Sequence, residues 1–116
     1  MIQHVSLELA SGDVDAAVGF WALLGFARVE PPPGLRDRSV WVASGGQQIH
    51  FLLTDDPVAP PSGHVALHLE DYDAAVARLR EAGFEVDPRA EHWGAPRAFV
   101  RGPGGHRVEV MAAPPP

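Results

Sequence analysis

The 116-residue chain has no cysteine, no lysine, a single tyrosine and no long apolar run. Each absence removes a class of protein. Without cysteine there are no thiolate metal sites and no disulfides, and the redox compartment is left open. Without lysine, all nine cations are arginines, scattered along a chain with fifteen acidic residues and a formal net charge of −6. The sequence therefore predicts no basic patch and no nucleic-acid partner. No apolar stretch approaches the roughly 18 residues that a membrane-crossing helix needs. The N-terminal MIQHVSLELA carries no cationic leader before an apolar run, so no signal peptide is expected and the protein is read as cytoplasmic, away from membranes. The 46% hydrophobic and 21% charged content is ordinary for a soluble globular domain. A chain of this length buries a core that half of it would not easily build alone.

What the chain does have is a sentence written twice. HVSLELASGDVDAAVGFWALLGF, from His4 to Phe26, returns as HVALHLEDYDAAVARLREAGF, from His64 to Phe84. GGQQIHF at Gly45–Phe51 returns as GGHRVEV at Gly104–Val110. The landmarks keep one order at one spacing, and the small drift matches the extra Ser-Gly of the first copy. An internal repeat that covers nearly the whole chain dictates the fold.

Each copy reads as strand, helix, strand, strand, strand. HVSLEL and HVALHL alternate with period two, as a strand with one buried face does. Asp13 and Asp71 stand at N-cap positions, and Gly25 and Gly83 where a helix ends in a left-handed residue. Between them, Val14, Ala17, Val18, Trp21 and Leu24 share one helical face, as do Tyr72, Ala75, Val76, Leu79 and Ala82. Further strands are expected near 26–30, 38–43 and 47–53, then 84–87, 97–101 and 106–111. Module one is 1–53, a proline-marked linker is 54–63, module two is 64–111, and 112–116 is expected to fray.

If the helix covers the apolar face of its sheet, the other face stays open. His4, Ser6 and Glu8 point to it from the first strand, and His64, Ala66 and His68 from its copy. Gln48, His50 and Leu52 do so from the last strand of copy one, and Arg107, Glu109 and Met111 from that of copy two. Two such sheets curved toward each other would bring His4, His50, His64 and Glu109 together. His92 and His106 read as solvated loop residues.

At this point the sequence resembles the vicinal oxygen chelate superfamily, which includes glyoxalase I, methylmalonyl-CoA epimerase, extradiol dioxygenases, fosfomycin-resistance enzymes and bleomycin-resistance binding proteins. The resemblance rests on IQHVSLEL, FWALLGF, GHVALHLEDYDAAVARLREAGF and RAFVRGPGGHRVEVM. It implies an α+β fold: two tandem βαβββ modules whose eight strands form a curved, mostly antiparallel sheet around a cavity. It also implies a site with ligands on the first and last strands of each repeat. Carried over position by position, His4, His64 and Glu109 hold one divalent metal, Zn, Ni, Mn or Fe(II), with no organic cofactor. His50 occupies the remaining position, as a fourth ligand or as a base. Two imidazoles and a carboxylate leave open positions at which neighbouring substrate oxygens can chelate. Glu8 and His68 are the next candidates for moving protons. Ser6, Trp41, Phe99 and Arg107, with Trp93 in the loop before the seventh strand, are candidates for contacting the ligand. Core packing is an equal reading for Trp41 and Phe99.

The resemblance leaves two classes of function open. One is a metal-dependent isomerase, epimerase or lyase acting on a small oxygen-rich substrate. The other is a metal-free protein that sequesters a drug or natural product. An extradiol dioxygenase is disfavoured, because Tyr72, the only tyrosine, falls on a helix. A fosfomycin-type enzyme is disfavoured too, because no cation-lined hole is evident. The turn before the last strand reads GPGG where the family usually has Asp-Pro-Asp-Gly. The small size of each half and the resemblance together imply a homodimer with its sites shared between chains.

Overall fold

A computed structural model describes all 116 residues. They divide into two compact units, residues 1–59 and 60–116. The boundary lies between the last strand of the first repeat and the first strand of the second, in a stretch without regular structure.

In the first unit, strand β1 (His4–Leu9) leads through a single 3₁₀ turn into helix α1 (Val14–Leu23). Strands β2 (Ala27–Val29), β3 (Ser39–Ser44) and β4 (Gln47–Leu53) follow. The sheet order is β1-β4-β3-β2, with β1 parallel to β4 and the other pairs antiparallel. A parallel neighbour requires a crossover, and here most of the module, helix included, provides it. Trp21 centres the core. Its ring meets Phe26 edge-on at 5.2 Å and Phe51 at 6.3 Å, in the arrangement that suits aromatic quadrupoles. The buried helical face is Ala17, Phe20, Trp21 and Leu24. Phe20 replaces the expected Val14 and Val18, which are only half-buried. The stripe is rotated toward the larger ring, which has more apolar area to remove from water.

The second unit repeats the plan. Strand β5 (Val65–His68) and helix α2 (Tyr72–Glu81) precede β6 (Val86–Arg89), β7 (Arg97–Arg101) and β8 (Arg107–Met111). The order β5-β8-β7-β6 has the same parallel and antiparallel pairings. Strand β6 starts two residues later than the sequence suggests and contains Pro88, which it tolerates as an edge strand. The core is Ala75, Val76, Leu79, Val86, Ala98, Val100, Val108 and Val110.

Both helices end in one hydrogen-bond pattern. Phe26 N donates to Trp21 O and Gly25 N to Ala22 O; Phe84 N donates to Leu79 O and Gly83 N to Arg80 O. These are Schellman closures, and they need a left-handed residue, which Gly25 (φ 89°) and Gly83 (φ 93°) supply. The helix starts differ from expectation. Asp13 and Asp71 hold the N-cap positions, but neither side chain bonds the first turn. Asp71 instead pairs with Arg78, two turns further along the helix, at 2.9 Å. The tail is tethered further than expected: Ala112 N donates to Pro96 O, and Ala113 O accepts from the Trp93 indole.

Candidate functional site

The period of two puts one residue set of each sheet on the face away from its helix, and the pairing register is equivalent in the two units. Trp41 lies opposite His50, and Phe99 lies opposite Glu109. In both units an aromatic on the third strand, a polar group on the fourth and a histidine at the first share the open face.

In unit one these groups form a stack. The His50 ring lies on Trp41 with centroids 3.7 Å apart, and His4 lies on His50 at 4.0 Å. His50 Nε2 bonds Gln48 Oε1 at 2.7 Å, and His4 Nδ1 bonds Gln3 Oε1 at 2.7 Å. Enclosed between two rings, His50 is only 7% exposed. Burial first, and then the charge on His4, holds its imidazole below the usual histidine range, so His50 is neutral near pH 7.

Unit two builds an ion pair where unit one builds a stack. Glu109 is buried, and its carboxylate accepts from Arg97 Nε at Oε2 (2.8 Å), while Oε1 faces His64 Nε2 at 3.1 Å. His64 Nδ1 bonds Ser62 O at 2.9 Å, and its ring meets Phe99 edge-on at 5.2 Å. Burial alone would raise the Glu109 pKa. The bonds and charges of Arg97 and His64 outweigh it and hold the carboxyl below its ordinary value.

The expected metal can be tested on these donors. Bonds of about 2.1 Å to adjacent corners of an octahedron place two donor atoms about 3 Å apart. His64 Nε2 and Glu109 Oε1 match that spacing, and Arg97 holds the carboxylate from its far oxygen. This pair fits a divalent ion. His50 fits poorly, because its Nε2 is already bonded to Gln48 and its ring is enclosed between Trp41 and His4. No three His, Asp or Glu side chains form a metal-binding group. Two donors thus meet in unit two, and His4 stands exposed in unit one.

The remaining expected residues take varied places. Ser6 and His68 are exposed on β1 and β5. Glu8 Oε1 accepts from Val58 N at 3.1 Å, tying the segment after β4 back to β1. Trp93 is half-buried, pinned by its bond to Ala113 O, with the Arg97 guanidinium 5.7 Å from its ring. Trp41 and Phe99 stand on the open faces and not in the helix-side core. His106, expected in solvent, is buried at 3% exposure in the turn where Gly102 N closes onto its carbonyl.

Sequence reasoning missed Arg97, the main partner of Glu109. The signal was present: Arg97 is two residues from Phe99 on one strand and so shares its face. The expectation of scattered cations also fails. Antiparallel register sets Arg89 opposite Arg97 and Arg101 opposite Arg107, so four of the arginines share one sheet face. Arg107 covers Phe99 with its guanidinium 3.7 Å from the ring centre.

Comparison with known proteins agrees with the repeat and its topology. A putative glyoxalase family protein from Bacillus anthracis superposes with a TM-score of 0.85 at 25% identity, over 96% of this chain and 93% of that one. A possible glyoxalase from Bacillus cereus gives 0.75 at 25% identity, over 97% and 98%. Lactoylglutathione lyase from Agrobacterium tumefaciens shares the fold, at 0.72 and 23% identity over 96% and 92%. No curated protein matches. No helix is long and apolar enough to cross a membrane. The model of the Glyoxalase/Bleomycin resistance protein/Dioxygenase superfamily matches residues 1–110, and the chain belongs to that superfamily.

Proposed function

We propose that the protein is a metal-dependent isomerase, epimerase or lyase acting on a small substrate that chelates through neighbouring oxygens. His4, His64 and Glu109 would hold one divalent ion per site. The observation that carries this reading is the pairing of His64 Nε2 with Glu109 Oε1 at 3.1 Å, with Arg97 fixing the far oxygen. When bound, the ion supplies Lewis acidity toward adjacent substrate oxygens. Arg97 keeps Glu109 ionised and aimed, a role in which outer partners matter nearly as much as ligands. Ser62 O fixes the His64 ring through Nδ1, leaving Nε2 as the donor. If Gln48 Oε1 accepts from His50 Nε2, the Nδ1 lone pair would be the one to take a substrate proton.

The working form is a homodimer in this reading, with His4 of one protomer completing the His64–Glu109 pair of another. Support comes from the donor count, since neither unit by itself assembles three ligands. The test is metal analysis of untagged protein purified without chelator. About one equivalent per chain is expected, and protein that stays metal-free in the presence of Zn, Ni, Mn and Fe(II) refutes the reading.

One observation favours a second reading, a metal-free binding protein. The Trp41–His50–His4 stack and the Phe99–Arg107 pair are ligand walls that need no ion. Ligand binding that is indifferent to chelator separates the two.

A further inference from the structure

The open face of the second sheet carries a cleft of about 440 Å³, lined by Glu85, Asp87, Arg89, Phe99, Arg101 and Arg107. That volume lies within the range of small-molecule sites. A cation-bearing cleft that is not evident in the sequence forms here, because register gathers what the sequence disperses.

Not all of its arginines are neutralised. Arg89 pairs with Asp87 at 3.1 Å. Arg101 donates only to carbonyl oxygens, of Gly105 at 2.9 Å and Pro61 at 3.2 Å, which position the guanidinium without cancelling its charge. Arg107 makes neither an ion pair nor a side-chain hydrogen bond, and rests on Phe99. Glu85 at the rim still leaves three guanidinium groups against two carboxylates.

Arg101 and Arg107 are direct cross-strand partners. Like charges at directly opposite positions destabilise a sheet. The repeat provides an internal control, for the corresponding pair in unit one is Ala43 and Gln48. Equivalent strands pair in equivalent register there without a charge, although the connecting turn is shorter, so strand pairing does not require this arginine pair. Two planar forks at directly opposite positions, neither paired with a carboxylate, offer donors that suit the oxygens of a carboxylate or a phosphate.

We propose that this cleft binds the carboxylate or phosphate of the protein's ligand, with Arg101 and Arg107 supplying the charge and Phe99 supporting Arg107. The proposal deepens the function above by naming the charged group of its substrate, and it rests on the same sheet face being the ligand face. Phe99 links the two places, since it touches both Arg107 and His64.

The test is a titration of the full chain, freed of metal by chelator, with inorganic phosphate and separately with acetate. The readout is the side-chain Nε–Hε NMR signals of arginine. Saturable shifts of Arg101 and Arg107 are expected, and the anion that saturates first identifies the group. The substitutions Arg101→Ala and Arg107→Gln, borrowed from unit one, should together weaken binding at least about 10-fold, with an unchanged or higher Tm. A wild-type chain whose arginine signals stay still at about 50 mM anion, far above a millimolar dissociation constant, overturns the proposal. So does a double variant that binds as tightly as the wild type. Because no metal is present, anion binding in a chain that never takes up a metal would separate failure of the metal reading from failure of this one.

Discussion

Trp41 and His50 face each other across β3 and β4, with ring planes 1° from parallel and centroids 3.7 Å apart. His4 closes the other side at 14°. A histidine held in this way is a flat wall with little access to solvent, and its protonation is coupled to the folded state.

The pH consequence has a definite sign. The His50 pKa is lowered from 6.5 in the folded chain, so the unfolded chain takes up a proton first as pH falls. Stability from this group is present above 6.5 and is lost as pH falls through the folded value. His50→Phe keeps a ring between Trp41 and His4 and removes the titration. The Tm of the wild type should therefore drop relative to the variant between about pH 7 and pH 5. Parallel profiles would show that His50 is not responsible.

Glu109 gives a second pH signature. Its folded pKa lies below 4.5, so its contribution is present above that value and is lost as pH falls through the folded one. Arg97→Gln leaves a buried carboxylate with only His64 beside it. Breaking a buried pair costs about 3 kcal/mol or more. The carboxyl pKa then rises, so the deficit should shrink on acidification. Urea denaturation at neutral pH and at about pH 4.5 measures both, and a deficit equal at the two would contradict the pairing.

The two helix ends offer a matched pair. A methyl group added at Gly25 or Gly83 would meet open space, so backbone strain alone opposes alanine there. Gly25→Ala and Gly83→Ala should each cost about 1–2 kcal/mol, in similar amounts. Chemical denaturation of the two variants checks this, and a large inequality would break the equivalence of the Schellman closures.

Metal affinity tests the ligand set. Glu109→Gln should lose on the order of 10- to 100-fold or more in divalent-ion affinity, since even outer partners are worth that much. His4→Ala should lose a similar amount. After subunit exchange, an equimolar mixture of the two variants should regain one metal site per heterodimer, measured as bound metal. No recovery would mean that each site is built within one chain.

Much of the fold is legible because its punctuation is local. Gly25, Gly83 and the Gly45 and Gly104 turns are single-residue signals, and strand alternation assigns His4, His50, His64 and Glu109 to open faces without any tertiary information. What fails is what depends on neighbours. Phe20 displaces Val14 and Val18 because packing against Trp21 selects the larger ring, which helical spacing alone does not reveal. Asp71 pairs with Arg78 and bonds no first-turn amide, an arrangement that N-cap position alone does not reveal. Arg97 and the Arg101–Arg107 pair escape notice because charges that are distant in sequence become adjacent only once register is known.

The parallel pairing of β1 with β4 joins His4 to Gln48, and that of β5 with β8 joins Val65 to Val108. Each ladder closes a loop that is nearly a whole module long. Loop-closure entropy must be overcome before such contacts give any return, so chains dominated by them fold slowly. The β2–β3 and β6–β7 ladders are local and can form early, whereas the His64–Glu109 pair and the His4–His50 stack both wait for the long closure. In each module the chemistry is assembled by the last contacts to form, and loosening either edge strand would dismantle it before the aromatic or aliphatic core is lost.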